Sequence, residues 1–198
     1  FGWYTYEVVS RLIEKNPDCE FVLFFDRPVD AKFQFKGKVK NVVLSPPARH
    51  PLLFFIWFEW SVRRALKKYN IDIFLSPDGY LSLFTKVPQI NVIHDIGFEH
   101  YPKDLPWLAS KYLRFFFPRF AKKSQKIITV SSATKNDIIS KYKVSPKKIK
   151  VAWNGVSSMY KPFDQSEKQH FYSEHTSSLA YFLFVGSIHP RKNVQRLV

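Results

Sequence analysis

Residues 186–193 read GSIHPRKN, a glycine, a proline and two adjacent cations in one short stretch. Gly186 lets a ligand approach the backbone closely. Pro190 suits the first position of a helix, where its missing N–H costs nothing. The amides that follow can then face an anion, and the helix dipole favours negative charge there. Arg191 adds a planar fork of donors and Lys192 a compact point charge. The set predicts a phosphate or diphosphate site. A solvated basic helix start has the same composition, and these eight residues alone do not separate the two.

A second group lies in NVIHDIGFEH, residues 91–100. His94 stands at the end of an apolar run with Asp95 beside it. Adjacent strand side chains point to opposite faces, so the pair is not read as an acid–base couple. A satisfied structural histidine is the plain alternative for His94, and a turn or helix cap for Asp95. The chain holds no G-x-S-x-G elbow for a serine nucleophile. His94, Asp95, Glu99 and His100 match no standard metal-ligand spacing, so no metal site is expected. In ITVSSATKNDII, Ser131 or Ser132 suits the N-cap of the helix that follows. Asn154 and Gly155 read as a turn closing a strand, with Gly155 at positive φ.

The elements that position these residues alternate. Helical spacing predicts helices over 4–14, 52–69, 106–123 and 133–142. Short apolar runs at 20–26, 40–45, 71–77, 89–95, 126–132 and 148–155 predict buried parallel strands. This alternation implies an α/β doubly wound sheet, whose ligands bind beyond the carboxyl ends of the strands. Those ends read Ser76-Pro77-Asp78-Gly79, His94-Asp95, Ser131-Ser132 and Asn154-Gly155. Residues 157–180 have little periodicity and read as a connector, after which Tyr181–Val185 starts a new strand.

Composition sets the outer bounds. The 198 residues are 45% hydrophobic and 18% aromatic, ample for a packed core. The single cysteine, Cys19, rules out an intramolecular disulfide and suits a reducing compartment. Residues 51–60, PLLFFIWFEW, are too few to cross a bilayer and read either as core or as an amphipathic face touching lipid, core being preferred. The net charge of +15 attracts polyanions. An anionic-surface or nucleic-acid binding module is therefore a competing reading. No recognised nucleic-acid motif accompanies the charge, so no specific nucleic-acid partner is expected.

Taken in order, FGWYTYEVV, LSPDGYLSL, NVIHDIGFEHYP, KIITVSSATKNDIISKYKVSPKKIKVAWNGV and YFLFVGSIHPRKNVQRLV resemble glycosyltransferase family 4. The resemblance implies a GT-B fold, two Rossmann-like domains facing a cleft, cut here at both ends. It implies an acceptor-side domain over 1–160 without its first strand, a connector over 161–180, and the opening strand and helix start of the nucleotide-sugar domain over 181–198. By the same resemblance His94 contacts the donor sugar near the reacting centre. Gly2 lies in a loop near the donor phosphates, and Gly186, Arg191 and Lys192 hold the diphosphate, with Asp95, Ser131, Asn154 and Gly155 in support. The implied activity moves a sugar from a nucleotide-sugar donor to a glycan or lipid-linked acceptor. It is retaining, needs no metal or cofactor, and serves cell-surface polysaccharide or glycolipid assembly. The implied location is cytoplasmic, peripheral at the inner face of the membrane, and the +15 charge suits docking there on an anionic surface. The loops 45–55 and 96–110 are expected to face the acceptor. Two features depart from the family pattern or fall outside the chain. Ser187 stands where many relatives carry Arg, and the paired Glu motif of the donor domain is expected beyond Val198. The piece by itself is therefore expected to be inactive, and an inactive GT-B scaffold is a further alternative.

Overall fold

The structure, a computed structural model, describes residues 2–157, 159–177, 179, 181–188 and 192–197. Its contacts divide into two compact units, Phe1–Asn154 and Gly155–Val198.

The first unit opens with helix α1 (Gly2–Lys15), which places Ile13 in the interior. Strands β1 (Phe21–Phe25) and β2 (Val39–Val43) follow and pair in parallel, Phe21 beside Val39 and Phe25 beside Val43. A long helical run comes next: α2 (Pro51–Ile56), a π-helical stretch Trp57–Val62, and α3 (Arg63–Lys68). Then come β3 (Phe74–Ser76), β4 (Gln89–Ile93), the short α4 (Gly97–His100) and α5 (Trp107–Lys123). Strand β5 (Lys126–Thr129), α6 (Ser132–Tyr142) and β6 (Ile149–Val151) complete the unit. Strands β3 to β6 form one sheet in sequence order, every pair parallel. Because every pair is parallel, all carboxyl ends of this sheet lie at one edge.

The core follows from the apolar runs. Val92, Ile93 and Ile127 on the sheet, Phe120 and Ala121 on α5, and Ile138 on α6 are all within 2% of full burial. Each such side chain contributes roughly 1.5–3 kcal/mol relative to exposure. A second cluster gathers Trp57, Phe58, Val62 and Leu66 against Phe24 and Leu44. The run at 51–60 thus divides. Trp57 and Phe58 are core, whereas Leu52 and Trp60 are exposed.

The second unit has no paired strand among its described residues. The strand expected at 181–185 is not formed: Phe182, Leu183 and Val185 lie open to solvent. A strand needs a neighbour for its backbone groups, and this unit offers none among the described residues. Conversely, the expected connector contains helix α7 (Gln165–His175). Asp164 and Glu167 form a capping box there, each side chain bonding the other's amide at 2.8 Å.

Candidate functional site

The site is built where β3, β4 and β5 end. His94 follows the last residue of β4, and three elements hold it. Its Nε2 lies 2.9 Å from the Pro77 carbonyl, in the turn after β3. A carbonyl only accepts, so Nε2 carries the proton of this bond. Tyr4 of α1 meets the imidazole edge-on, centroids 4.7 Å apart and planes at 83°. Burial raises the Tyr4 phenol, so the ring stays neutral. The main-chain carbonyl of His94 accepts from the Thr134 hydroxyl of α6 at 2.9 Å. Thr134 is placed in turn by Ser131, the N-cap of α6, whose Oγ accepts the Thr134 amide at 3.1 Å. Ser131 thus reaches the site through Thr134, as a positioning residue.

The turn Ser76-Pro77-Asp78-Gly79 that accepts the His94 hydrogen bond is itself pinned. Gly79 has φ +88°, and a Cβ there would meet the Phe117 ring at 2.9 Å, so only glycine fits. Its carbonyl accepts from Asn91 Nδ2 at 3.0 Å. Gln89 pairs twice with the Ser82 backbone, at 3.1 and 2.7 Å. Glu59, buried in the π-helical stretch, accepts from Ser82 Oγ at 2.9 Å and from the amides of Leu83 and Phe84. Asp78 stands at the rim of this turn, where desolvation of its carboxyl raises it while the nearby His94 opposes the rise. Beyond β1, Asp26 accepts the Ala48 amide at 3.1 Å and pairs with Arg27, which holds its carboxyl below the usual range. Asp95 points to no partner chemistry: its Oδ1 accepts the Gly97 amide at 2.8 Å and closes a turn.

The remaining candidates are less gathered. Gly2, expected in a loop, is the first residue of α1, with open space where a side chain would project. Asn154 and Gly155 are exposed after β6, and no turn forms there. The glycines at positive φ among the described residues are Gly37 and Gly79, so the expected positive φ at Gly155 is corrected. In the second unit Gly186 and Lys192 are exposed. Arg191, with His189 and Pro190, lies outside the described residues. After them Val194–Arg196 forms a single 3-10 turn. Among the described residues no three His, Cys, Asp or Glu side chains converge as a metal site. No described helix is long and apolar enough to cross a membrane.

The sequence profile of Glycosyltransferase Family 4 matches residues 2–158. The chain belongs to that family. It is 27% identical over 149 residues to the O-antigen chain mannosyltransferase RfbU of Salmonella typhimurium, covering 75% of this chain and 38% of that protein. It is 26% identical over 212 aligned positions to O-antigen chain mannosyltransferase B of Escherichia coli, covering 100% of this chain and 54% of that protein. The chain thus spans about half or less of the length of these curated relatives. The crystal structure of a glycosyltransferase from Rickettsia africae ESF-5 superposes with a TM-score of 0.51 at 14% identity, covering 87% of this chain and 45% of that one. At that identity the likeness establishes the fold, a Rossmann-like α/β domain of GT-B type.

For a family 4 domain, several residues that shape the His94 surroundings go unnoticed in a motif reading. Tyr4 reads there only as part of a helix face. Asn91, Gln89 and Glu59 do carry a signal. Two amides at alternate positions of an otherwise apolar strand, and one carboxylate inside PLLFFIWFEW, are buried polar groups that must have partners. Gln89 and Asn91 bond the backbone of the turn and loop at 77–84, and Glu59 bonds that backbone and the Ser82 hydroxyl.

Proposed function

We propose that this chain is the acceptor-side domain, with the beginning of the donor domain, of a retaining, metal-independent glycosyltransferase. It transfers a hexose, mannose by analogy with the relatives' names, from a nucleoside diphosphate sugar to a glycan or lipid-linked acceptor. The product belongs to a surface polysaccharide or glycolipid, made on the cytoplasmic side of a membrane. The observation that carries the reading is His94, fixed at the carboxyl ends of the sheet by Pro77, Tyr4 and Thr134. An imidazole held by Pro77 and Tyr4, on a backbone pinned by Thr134, is preorganised to face a sugar without reorganising during the reaction.

As the glycosidic bond breaks, the leaving nucleoside diphosphate gains negative charge. Arg191, Lys192 and the amides near Gly186 are the groups proposed to meet that charge. One such preset donor typically contributes on the order of 3 kcal/mol, or ~100-fold in rate. Asp78, at the rim beside His94, is placed to accept a hydrogen bond from an acceptor hydroxyl. The test uses the full-length parent protein with a panel of nucleoside diphosphate hexoses, mannose donors included. His94→Ala is expected to lower kcat by about 100-fold or more while nucleoside diphosphate affinity changes little. Lys192→Ala is expected to weaken that affinity. No turnover with any donor, together with unchanged nucleoside diphosphate binding in Lys192→Ala, overturns the reading.

A further inference from the structure

Two asparagines hold matching places in the two sheets. Each is the middle residue of its strand, Asn41 in β2 and Asn91 in β4. Each donates from Nδ2 to a loop carbonyl, Asn41 to Phe33 at 3.2 Å and Asn91 to Gly79 at 3.0 Å. In each, Oδ1 is buried without a partner among the described residues. An orphaned buried acceptor costs stability, and an apolar side chain of that size would carry none. Stability alone therefore does not account for an amide at 91. What sets Asn91 apart is its reach. The ladder places it beside Ser76, the last residue of β3, and its side chain holds Gly79, three residues farther on. Both ends of the turn Ser76-Pro77-Asp78-Gly79 are thus anchored on one residue. Between the anchors stands Pro77, whose ring fixes φ and leaves the direction of its carbonyl to ψ and to the hold on Gly79. Gly79, at φ +88° against the Phe117 ring, has little room to shift. The Pro77 carbonyl aimed in this way is the one that His94 Nε2 meets at 2.9 Å.

We propose that Asn91 is a positioning residue for His94. By holding the turn at both ends it aims the Pro77 carbonyl, and that carbonyl keeps the imidazole proton on Nε2 and the ring in one orientation. Which ring nitrogen carries the proton is set by the hydrogen bonds the ring makes. A hydrogen bond weakens steeply once its angle falls below about 120°, so a carbonyl that drifts releases the ring. Asn91 is fully buried and acts only through the turn. The same two anchors fix Asp78, which lies between them. A consequence follows for the chemistry of His94. A proton committed to Pro77 is not handed to a substrate, so His94 meets the sugar as an oriented ring and does not serve as an acid through Nε2. The bearing on catalysis rests on the glycosyltransferase reading above; the hold on the tautomer does not.

The test has two arms. The first reads the tautomer in the 198-residue chain carrying 15N-labelled histidine, by long-range 1H–15N correlation at pH about 8.5, where an ordinary imidazole is neutral. His94 is assigned as the signal lost in His94→Ala. The Nε2–H form is expected to dominate. Asn91→Leu is expected to lower the ratio of Nε2–H to Nδ1–H by about fivefold or more. Asn41→Leu removes the same kind of bond far along the chain and is expected to leave that ratio within about 1.5-fold. Circular dichroism checks that each variant is folded. If Asn91→Leu does not fold, Asn91→Ser, whose side chain ends short of Gly79, carries the same expectation. A dominant Nδ1–H form, an unmoved ratio when the Asn91 amide is removed, or an equal shift in Asn41→Leu each overturns the proposal. The second arm uses the full-length parent. Asn91→Leu is expected to lower kcat about tenfold with the donor KM within about threefold, as for an interaction felt mainly in the transition state. Asn41→Leu is expected to change kcat by less than about twofold. A shifted tautomer with unchanged kcat removes the catalytic role and leaves the hold on the ring. No turnover by the parent counts against the glycosyltransferase reading, and the first arm still decides the hold by itself.

Discussion

KIIT at 126–129 and YFLFV at 181–185 are the same kind of word, a short apolar run that reads as a buried strand. In the first unit KIIT becomes β5, paired with β4 on one side and β6 on the other, and Ile127 is fully buried. In the second unit YFLFV stays open to solvent and unpaired among the described residues. Helix α7 shows the opposite behaviour: it forms in that same unit although none of its described residues is buried. The difference is one of range. A helix satisfies its own backbone and needs only a cap at its start, whereas a strand is made by its neighbours. Strand propensity in a sequence is therefore a request for a partner, and the request is met in only one of the two units.

The sharpest way to break this comparison is to truncate one side chain in each run. Ile127→Ala is expected to cost about 2–5 kcal/mol of unfolding free energy in urea, through lost transfer energy and a cavity. Phe182→Ala is expected to stay within about 0.5 kcal/mol, since nothing packs on it. Equal costs would show that 181–185 is packed in solution and would dissolve the contrast. Next, Glu59→Ala is expected to cost about 3 kcal/mol, because it strips a charged acceptor from Ser82 and two amides. Thermal unfolding reads this loss, which probes long-range polar contacts within the first unit. Local caps should give smaller effects. Lys143 ends α6 at φ +55°, a left-handed conformation that costs a side-chain-bearing residue about 1 kcal/mol, so Lys143→Gly is expected to stabilise the protein by that order. The smallest expected effect is local to α7. The Glu167 amide holds the Asp164 carboxyl below its ordinary range. A depressed folded-state pKa means the cap is complete above the unfolded value and is lost as pH falls through the folded one. The Glu167 amide resonance should hold steady from neutral pH to about 4 and move only below that. Asp164→Asn should abolish that step.

Much of the fold of the first unit is legible because period and length agree. The apolar runs at 20–26 and 126–132 and the stripe at 106–123 each have one natural solution. What the sequence leaves hidden is partnership. Nothing local in YFLFV says whether a ladder awaits it, and the DQSE capping box at 164–167 is easily passed over in a segment so polar. The site divides in the same way. His94 is visible as a polar residue at a strand end, and its place beyond β4 follows from the α/β pattern. Its supports are not visible, because Tyr4, Pro77 and Thr134 are brought together from three separate stretches of chain. Glu59, Gln89 and Asn91 show that buried polar residues in apolar runs are the one local trace such long-range arrangements leave.

The π-helical stretch at 57–62 sets how the two halves of the helical run are oriented. Its wide turn lets Leu52 and Phe55 look toward α5 while Val62 and Leu66, farther on, look into the interior. Each α-helical residue advances the chain by about 100°. Removing a single residue from the α-helical turn just ahead of this stretch would swing everything before it by roughly that angle. A change of length there would therefore take Leu52 and Phe55 off the side that α2 shares with α5 without altering either residue.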